Sequence, residues 1–439
     1  MKIMKFGGTS VGKPERMREI TRLITEEKEP KIVVLSALSG TTNTLSAIST
    51  SLSRGNRSEA KAQIDALEAH YQKFIRELLP EETFFKKAEA IIAEHFEFLN
   101  IILKISFSEA LNKDILAQGE LLSTKIFCVH LEQKGIAHKL LPALDFMSID
   151  GSGEPQVSAI KAKLEQLLQL NKSEELFITQ GYICRNAKGE VDNLKRGGSD
   201  YTASLIAAAI GASVCEIWTD IDGMHNNDPR IVKNTRPISR LSFDEAAELA
   251  YFGAKILHPA SIWPAQHYNF PVKLLNTMQP DAPGTLIESE AGSEGVKAIA
   301  AKDGITAIKI KSSRMLLAYG FLRKIFEIFE KYQTPIDMVT TSEVAVSVTI
   351  DNDEYLKEIT KELQLFGTVE VDRDQTIVSI VGNKITRTED VIAKIFNSLS
   401  GIPIRMVSYG GSQHNISILI GRDQKEKTLQ LLNTGLFGM

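Results

Sequence analysis

A glycine-rich segment near the amino terminus has the composition of a phosphate-binding turn. The residues Lys5-Phe6-Gly7-Gly8-Thr9-Ser10-Val11-Gly12 follow an apolar start and precede Lys13-Pro14. We predict a strand, a glycine turn and a helix with Pro14 in its first turn, because glycine N–H groups and helix N-termini attract anions. Lys5 would add a positive charge at the strand end. A tight turn that binds no ligand is the alternative interpretation.

The spacing of Gly7, Gly12 and Lys13 is similar to the Walker A sequence GxxxxGK[ST]. The match fails at its last position, where Pro14 stands in place of the Ser or Thr whose hydroxyl holds Mg²⁺. The segment is therefore predicted to bind phosphate without being a P-loop.

A second anion-binding candidate is Arg196-Gly197-Gly198-Ser199-Asp200. Arg196 can hold a carboxylate through two parallel hydrogen bonds, and the glycines expose backbone N–H groups. Ser199 and Asp200 are predicted to begin a helix. A simple helix-capping role is the alternative for Asp200, and capping is the commoner use of Asp at such a position.

Two further segments carry polar residues next to predicted helices. In Ser39-Gly40-Thr41-Thr42-Asn43, we predict that Thr42 or Asn43 caps a helix and also hydrogen-bonds a small polar substrate. Gln118-Gly119-Glu120 is predicted to open or interrupt a helix. The Glu120 carboxylate is either solvated or directed at a substrate cation, and spacing does not decide between them.

Acidic residues end a predicted strand at Thr219-Asp220, and Asn227-Asp228-Pro229-Arg230 follows. Carboxylates at a strand end suit Mg²⁺ or nucleotide contacts, although acidic turns occur on any surface. Lys255 lies in an apolar segment, from which its ammonium reaches either a phosphate or the solvent. We find no pattern of a covalent nucleophile, so the candidates together favour phosphoryl transfer from a nucleotide to a small anionic acceptor.

The elements that must position these residues alternate between strands and helices. The pattern predicts buried strands at Lys31–Ala37, Leu176–Thr179 and Val214–Thr219, and helices at about 57–103 (broken at Pro80), 116–133 and 199–210. This order is typical of an α/β sandwich that binds ligands at the carboxyl ends of its strands.

The pattern changes near residue 290, where residues 288–295 are predicted to be a linker. Two β-α-β-β patterns follow, with strands at 305–310, 344–350, 376–381 and 415–420 and helices at 321–332 and 389–399. We predict a catalytic domain over 1–290 and a regulatory domain over 300–439, with α+β modules at about 305–372 and 373–439 that either follow one another or are intertwined. A pair of purely oligomerising domains is the alternative.

Composition limits the class of protein. The 439 residues are 43% apolar with a net charge of −4, which fits two or three domains and argues against nucleic acid as a partner. No apolar run approaches the length of a membrane span, and no signal-peptide pattern precedes the first strand, so we expect a cytoplasmic protein without a membrane partner. Cys128, Cys184 and Cys215 form no CxxC pair and are predicted to be buried thiols.

Taken together, KFGGTSVG, RGGSDYTA, WTDIDG with DPR, FGAKILHP and TTSE resemble the aspartokinases of the amino acid kinase family, in particular the lysine-sensitive, monofunctional type. The resemblance runs the length of the chain. It implies an amino acid kinase-type α/β sandwich followed by two ferredoxin-like ACT modules, with ATP and Mg²⁺ as cofactors. The Mg²⁺ is implied to bind through ATP, and we assign no protein residue as its ligand. The implied activity is phosphorylation of the side-chain carboxylate of aspartate.

The resemblance also implies roles for individual residues. Lys5 would neutralise the transferring phosphoryl group and Asp200 would orient Lys5. The remaining assignments are phosphate binding by Gly7, Gly8 and Ser10; aspartate binding by Thr42, Glu120, Arg196 and Ser199; and ATP binding by Thr219, Asp220, His225, Arg230 and Lys255. His225 stands where lysine-sensitive relatives usually have a tyrosine.

The ACT modules are implied to bind lysine as an inhibitor and to pair subunits into a homodimer or tetramer. The implied effector residues are Met315, Ala318, Gly320, Phe321, Leu322, Asp337, Thr341, Ser342 and Glu343. Ala318 stands where a serine is more usual. Nothing resembling a dinucleotide-binding domain follows the ACT pair, so we expect one catalytic function. A kinase for glutamate or N-acetylglutamate, and a sensor with an inactive kinase domain, are the rival hypotheses.

Overall fold

The computed structural model describes residues 1–194, 197–253, 257–290, 292–312 and 319–439. These residues form two compact units. Unit 1 comprises Met1–Met224, Ser239–Phe243 and Leu257–Glu290, and unit 2 comprises His225–Ile238, Asp244–Ile256 and Ala291–Met439. Unit 1 therefore differs from the predicted range 1–290 by two segments that fold with unit 2. One reason is that Ile231 and Val232 pack in an apolar core of unit 2.

Unit 1 alternates strands and helices through most of its length. Its first elements are β1 Lys2–Phe6, α1 Gly8–Val11, α2 Pro14–Glu26, β2 Lys31–Leu35, α3 Thr41–Ser53, α4 Arg57–Leu78, α5 Glu82–Ile102 and α6 Glu109–Gln133. These are followed by β3 Lys139–Leu140, α7 Ala143–Phe146, α8 Val157–Leu170, β4 Leu176–Gln180, β5 Ile183–Arg185, β6 Val191–Asn193, α9 Gly198–Ile210, β7 Cys215–Thr219 and β8 Arg240–Ser242. The helix α10 Phe243–Tyr251 comes next in the chain, and α11 Pro259–Tyr268, β9 Val272–Asn276 and β10 Thr285–Glu288 complete unit 1. All of α10 except Phe243 belongs to unit 2.

The described part of unit 1 is centred on an eight-stranded sheet in the order β3-β4-β2-β1-β7-β9-β10-β8. From β3 through β9 each strand pairs in parallel with its neighbour, and β10 runs antiparallel to β9. Every residue of β1, β2 and β4 is buried, as expected for parallel strands covered on both faces. The predicted α/β architecture is confirmed.

Two helix boundaries differ from the predictions. α6 runs unbroken from Glu109 to Gln133 and is neither opened nor interrupted at Gly119. A Cβ atom on Gly119 would lie 2.8 Å from the Cβ of Ala37, so this glycine permits close packing rather than breaking the helix. α3 begins directly after Gly40, which has a φ of 84° and no side-chain capping bond, so Thr42 lies inside the first turn and does not cap it.

In unit 2, the elements that follow residue 290 are β11 Gly295–Lys311, α12 Phe321–Lys331, β12 Val339–Thr341, β13 Ala345–Ile350, α13 Leu356–Leu363, β14 Thr368–Asn383, α14 Val391–Ser398, β15 Ile404–Ser408, β16 Asn415–Gly421 and α15 Lys425–Phe437. The six strands described here form one sheet in the order β12-β13-β11-β14-β16-β15. Because β10 ends at Glu288 and β11 begins at Gly295, the predicted linker is confined to the few residues between them.

The two modules of unit 2 are intertwined through the long strands β11 and β14. The second half of β11 pairs with β13 on one side and with the first half of β14 on the other. The first half of β11 pairs with the second half of β14; Ile299, for example, pairs with Ile380. Each half packs on a separate apolar core, one under α12 and α13 and the other under α14 and α15. The second module thus includes residues 295–302, which precede the first, and the predicted modules do not simply follow one another.

The cysteines are buried thiols, as predicted. Burial raises the pKa of Cys128 and of Cys184 to about 12, so both remain protonated and unreactive at neutral pH. Within the described ranges, no helix is long and apolar enough to cross a membrane.

Candidate active site

The carboxyl ends of β1, β2, β4 and β7 lie at one edge of the unit 1 sheet, where Lys5 and the predicted phosphate-binding residues end or follow β1. From β1, the sheet continues in one direction through β2 and β4 and in the other through β7 and β9. Ligands of open α/β sheets bind outside the carboxyl ends of strands where the strand order reverses in this way.

The most direct contact between predicted catalytic residues joins Lys5 and Asp200. Lys5 Nζ lies 2.6 Å from Asp200 Oδ1, and the two side chains are 10% and 17% exposed. Lys5 is next to the last residue of β1, and Asp200 lies in the first turn of α9. A Cβ atom on Gly7 would lie 3.2 Å from Lys5 Nζ, so glycine at this position leaves room for the ammonium group. The carboxylate therefore holds the lysine in one orientation at the site edge.

The glycine segment forms a strand, a one-turn helix and then α2, with Pro14 at its first position as predicted. The Gly7 amide donates to the Trp218 carbonyl (3.3 Å), which ties the turn to β7. Ser10 is fully buried, and its hydroxyl lies 2.8 Å from that of Thr277. The Ser10 hydroxyl is thus already paired. Thr277 was missed by the sequence analysis, although a polar residue directly after a strand is a signal that could have drawn attention to it.

Glu120 is a buried carboxylate in the middle of α6, only 3% exposed. One oxygen, Oε1, accepts a hydrogen bond from the Ala37 amide (3.3 Å), and Oε2 is buried with no partner among the described residues. Burial raises the pKa of Glu120 to about 8, because the interior disfavours the charged form. The alternative that the Glu120 carboxylate points into solvent is therefore excluded. Its unpaired oxygen fits a ligand that brings a hydrogen-bond donor or a positive charge.

Ser199 packs close to the ends of β2 and β4. It accepts a hydrogen bond from the Ser36 hydroxyl (2.9 Å). A Cβ atom on Gly181 would lie 2.2 Å from Ser199 Oγ and 2.8 Å from its Cα, so only glycine lets α9 approach the end of β4 this closely. Thr42 is exposed in the first turn of α3. Ser36 and Gly181 were missed by the sequence analysis, because neither belongs to a recognisable motif.

The predicted nucleotide residues are distributed over both units. In unit 1, the Thr219 hydroxyl donates to the Asp220 carboxylate (3.2 Å) at the end of β7. In unit 2, His225 Nδ1 lies 2.8 Å from the Thr235 hydroxyl, and Arg230 donates two hydrogen bonds to Asp228, at 2.9 and 2.7 Å. The structure therefore does not bring all of these residues together within one unit.

Four predicted residues lie outside the described residues: Arg196, Lys255, Met315 and Ala318. Of the other predicted effector residues, Gly320 precedes α12 with a φ of 77°, and Phe321 is buried while Leu322 is exposed. Thr341, Ser342 and Glu343 are exposed at the end of β12.

Asp337, the predicted effector carboxylate, is engaged within unit 2. Lys302 Nζ lies 2.9 Å from Asp337 Oδ1 and 2.8 Å from Asp351, and the Tyr251 hydroxyl donates to the same Asp337 oxygen (2.9 Å). Burial raises the pKa of Asp337, whereas for Lys302 the two carboxylates outweigh burial and raise its pKa. Lys302 and Tyr251 were not predicted, and their separation from Asp337 along the chain left no local signal.

Comparison with known proteins identifies the family of the chain. Residues 1–276 match the model of the amino acid kinase family, and residues 378–436 match an ACT domain. The chain is 34% identical to the lysine-sensitive aspartokinase 3 of Escherichia coli over 99% of both chains, and 36% identical to the chloroplastic aspartokinase 3 of Arabidopsis thaliana over 99% of this chain and 81% of that protein.

Solved structures give the same result. The crystal structure of E. coli aspartokinase III in complex with aspartate and ADP superposes with a TM-score of 0.86, at 32% identity and full coverage of both chains. The lysine and aspartate complex of that enzyme gives a TM-score of 0.81 at 32% identity, covering 100% of this chain and 99% of that one. From sequence and fold alike, the chain belongs to the aspartokinases of the amino acid kinase family.

Proposed function

We propose that the chain transfers the γ-phosphoryl group of ATP to the side-chain carboxylate of L-aspartate, forming 4-phospho-L-aspartate in the first step towards lysine, threonine and methionine. The observation that carries the proposal is full-length similarity to an aspartokinase that was crystallised with aspartate and ADP. The Lys5–Asp200 pair and the buried Glu120 carboxylate supply groups that this reaction needs.

The phosphoryl step requires positioning and charge neutralisation rather than a protein nucleophile. An oxygen of the aspartate side-chain carboxylate forms a bond to the γ-phosphorus, and the bond from that phosphorus to the β–γ bridging oxygen breaks to release ADP. A carboxylate nucleophile carries no proton, so no general base is needed. Lys5 offsets the negative charge on the transferring group, and Asp200 keeps its ammonium directed there.

The triphosphate group of ATP lies against the turn that contains Gly7, Gly8 and Ser10. Main-chain N–H groups near the start of this turn provide the donors. Ser10 contributes through its backbone, because its hydroxyl is paired with Thr277 inside the protein.

Charged groups of the substrate aspartate are held by side chains of opposite charge. Its ammonium group pairs with the unpartnered oxygen of Glu120, which no other described group satisfies. Arg196 receives a carboxylate, and the hydroxyl groups of Thr42 and Ser199 complete the polar surroundings. Binding aspartate thus neutralises a buried carboxylate that is costly to ionise alone.

The nucleotide is assigned to Thr219, Asp220, His225, Arg230 and Lys255. Among the residues that the structure describes, no three His, Cys, Asp or Glu side chains are grouped to hold a metal ion. Mg²⁺ would enter with the ATP phosphates and would supply positive charge to them. The exposed carboxylate of Asp220 suits this role, since Mg²⁺ at phosphates usually takes one or two protein carboxylates.

Lysine is proposed as the inhibitor, bound at the first ACT module through Asp337, Glu343 and the segment around Gly320. A relative 34% identical to the chain is described as lysine-sensitive, and its structure has been solved with lysine. An effector ammonium at Asp337 would share or displace the bond from Lys302. We further assign the enzyme to the cytoplasm as a homodimer or tetramer joined through the ACT modules.

The proposal is tested by ADP release from ATP and Mg²⁺ with aspartate, glutamate or N-acetylglutamate as the acceptor. Aspartate-dependent turnover with little response to the other acids is the expected result. Titration with lysine, threonine and methionine then tests the effector, and inhibition by lysine alone is expected. Faster turnover of glutamate would overturn the substrate assignment, and insensitivity to lysine would overturn the effector assignment alone.

A further inference from the structure

Helices α4 and α5, which lie between α3 and α6 and are called the helical insertion below, contact the aspartate-binding part of the site through a buried hydroxyl pair. Tyr71, on α4, is fully buried, and its hydroxyl lies 3.1 Å from the Thr41 Oγ1 atom. The Tyr71 ring also packs edge-on against Phe96 of α5, with 6.0 Å between ring centroids. Both helices of the insertion therefore fix the position of this hydroxyl.

Thr41 lies where two substrate-binding elements meet. It is the first residue of α3 and immediately precedes Thr42. On its other side, a Cβ atom on Gly119 of α6 would lie 3.2 Å from the Thr41 methyl group, and Gly119 immediately precedes Glu120. Thr41 thus separates α4 from the turn of α6 that carries the Glu120 carboxylate.

The surroundings of Tyr71 keep its phenol group protonated, so the hydroxyl can form a hydrogen bond. Burial raises the pKa of Tyr71, and the nearby carboxylate of Glu120 raises it further, so the phenol stays protonated beside the site. A buried hydroxyl left without a partner is costly, so Tyr71 and Thr41 hold one another in place.

A second polar contact connects the insertion to α6. His95 of α5 lies 2.6 Å, through Nδ1, from the side-chain oxygen of Gln118, and Lys125 donates to His95 Nε2 (2.9 Å). Burial lowers the pKa of His95, so the ring is neutral and its Nδ1–H donates to Gln118. The insertion therefore makes polar contacts beside both Thr42 and Glu120.

We propose that Tyr71 is a positioning residue for aspartate: its hydroxyl holds Thr41 and thereby sets the first turn of α3 against the Glu120 turn of α6. The inference rests on the proposed function, because it takes Thr42 and Glu120 as aspartate-binding residues. Tyr71 itself does not contact the substrate. The insertion is then part of substrate recognition in this enzyme rather than a peripheral addition.

The test is Tyr71→Phe in the full-length enzyme, which removes the hydroxyl and keeps the ring. We expect the KM for aspartate to rise by about threefold to tenfold, the range of one neutral hydrogen bond, while kcat and the KM for ATP stay within about twofold. Thr41→Val should give the same increase, and Thr41→Ser, which keeps the hydroxyl, should restore wild-type behaviour. The Tyr71→Phe/Thr41→Val double variant should be no worse than either single variant, because both remove the same contact.

Phe74→Leu is the matched control, since Phe74 is buried on the same helix and the hydroxyl pair consists of Tyr71 and Thr41. It should lower the melting temperature without changing the KM for aspartate. An unchanged KM in folded Tyr71→Phe, an equal KM increase in Phe74→Leu, or additive effects in the double variant would each overturn the inference. Failure of the wild-type enzyme to use aspartate would refute the proposed function, and would be seen before any variant is compared.

Discussion

Glu120→Gln replaces a buried ionisable carboxyl group with a neutral amide while nearly preserving its shape. With a pKa of about 8, the wild-type carboxyl group is about 90% protonated at pH 7, and only the ionised fraction can pair with the aspartate ammonium. The apparent KM for aspartate then scales as 1 + 10^(pKa − pH). It should fall by about ninefold from pH 6 to pH 7 and by about fivefold from pH 7 to pH 8. In Glu120→Gln, the KM should be higher and independent of pH over this range.

The same raised pKa predicts that the stability of the folded protein falls as the pH rises, whereas aspartate binding becomes tighter. The folded-state pKa of Glu120 lies above the ordinary value of 4.5, so its stability contribution is complete below pH 4.5 and declines as the pH rises to about 8. At 1.36 kcal/mol per pKa unit, the wild-type protein should lose about 3 to 4 kcal/mol relative to Glu120→Gln between pH 5 and pH 8. A residue that weakens the folded state but strengthens substrate binding is expected at a functional site.

The assay is ADP release at varied aspartate from pH 6 to pH 8, together with denaturant unfolding at pH 5 and pH 8. Glu132→Gln, an exposed glutamate on the same helix, is the control and should leave both pH profiles unchanged. A wild-type KM for aspartate that is flat across this range would refute the reasoning. So would a pH-dependent KM that persists in Glu120→Gln.

Three further predictions concern other parts of the chain. Lys5→Ala should lower kcat by at least about a hundredfold in the ADP-release assay, since it removes the charge that offsets the transferring phosphoryl group; a retained kcat would contradict this role. Gly181→Ala should lower the free energy of unfolding by about 1 to 3 kcal/mol, because its methyl group would meet Ser199 and move α9, and an unchanged denaturation midpoint would contradict the packing. Asp337→Asn should raise the lysine concentration for half-inhibition by about tenfold, as a charge-assisted bond is lost, and an unchanged inhibition curve would place the effector elsewhere.

Much of the fold and part of the candidate site could be predicted from local patterns. The buried strands, the helices on either side of Pro80 and the Gly211 end of α9 follow from apolar periodicity and from helix-ending glycine, which act over a few residues. Gly119 shows the limit of this approach. It resembles a helix breaker in the sequence, and only the neighbouring Ala37 and Thr41 explain why a glycine is needed inside α6.

The assignment of segments to compact units also depended on tertiary contacts. Residues 225–238 and 244–256 lie within the predicted catalytic range, yet they fold with unit 2. No change of composition marks them, because their apolar residues resemble those of any buried segment. In unit 2, the first half of β11 pairs within the second module and the second half within the first. Apolar periodicity predicts that these residues form strands, but it does not specify which strands pair with each other.

By itself, the sequence determined the chemical groups available and the local elements that carry them: a lysine at a strand end, a glycine turn, an aspartate at a helix start and a carboxylate on a long helix. The tertiary structure decided which of these groups meet and in what surroundings. It placed Lys5 against Asp200, paired Ser10 with Thr277 and enclosed Glu120 so that its pKa rises to about 8. The physical reason is that hydrogen bonds, ion pairs and desolvation depend on distances of a few ångströms between residues far apart in the chain, which local sequence does not encode.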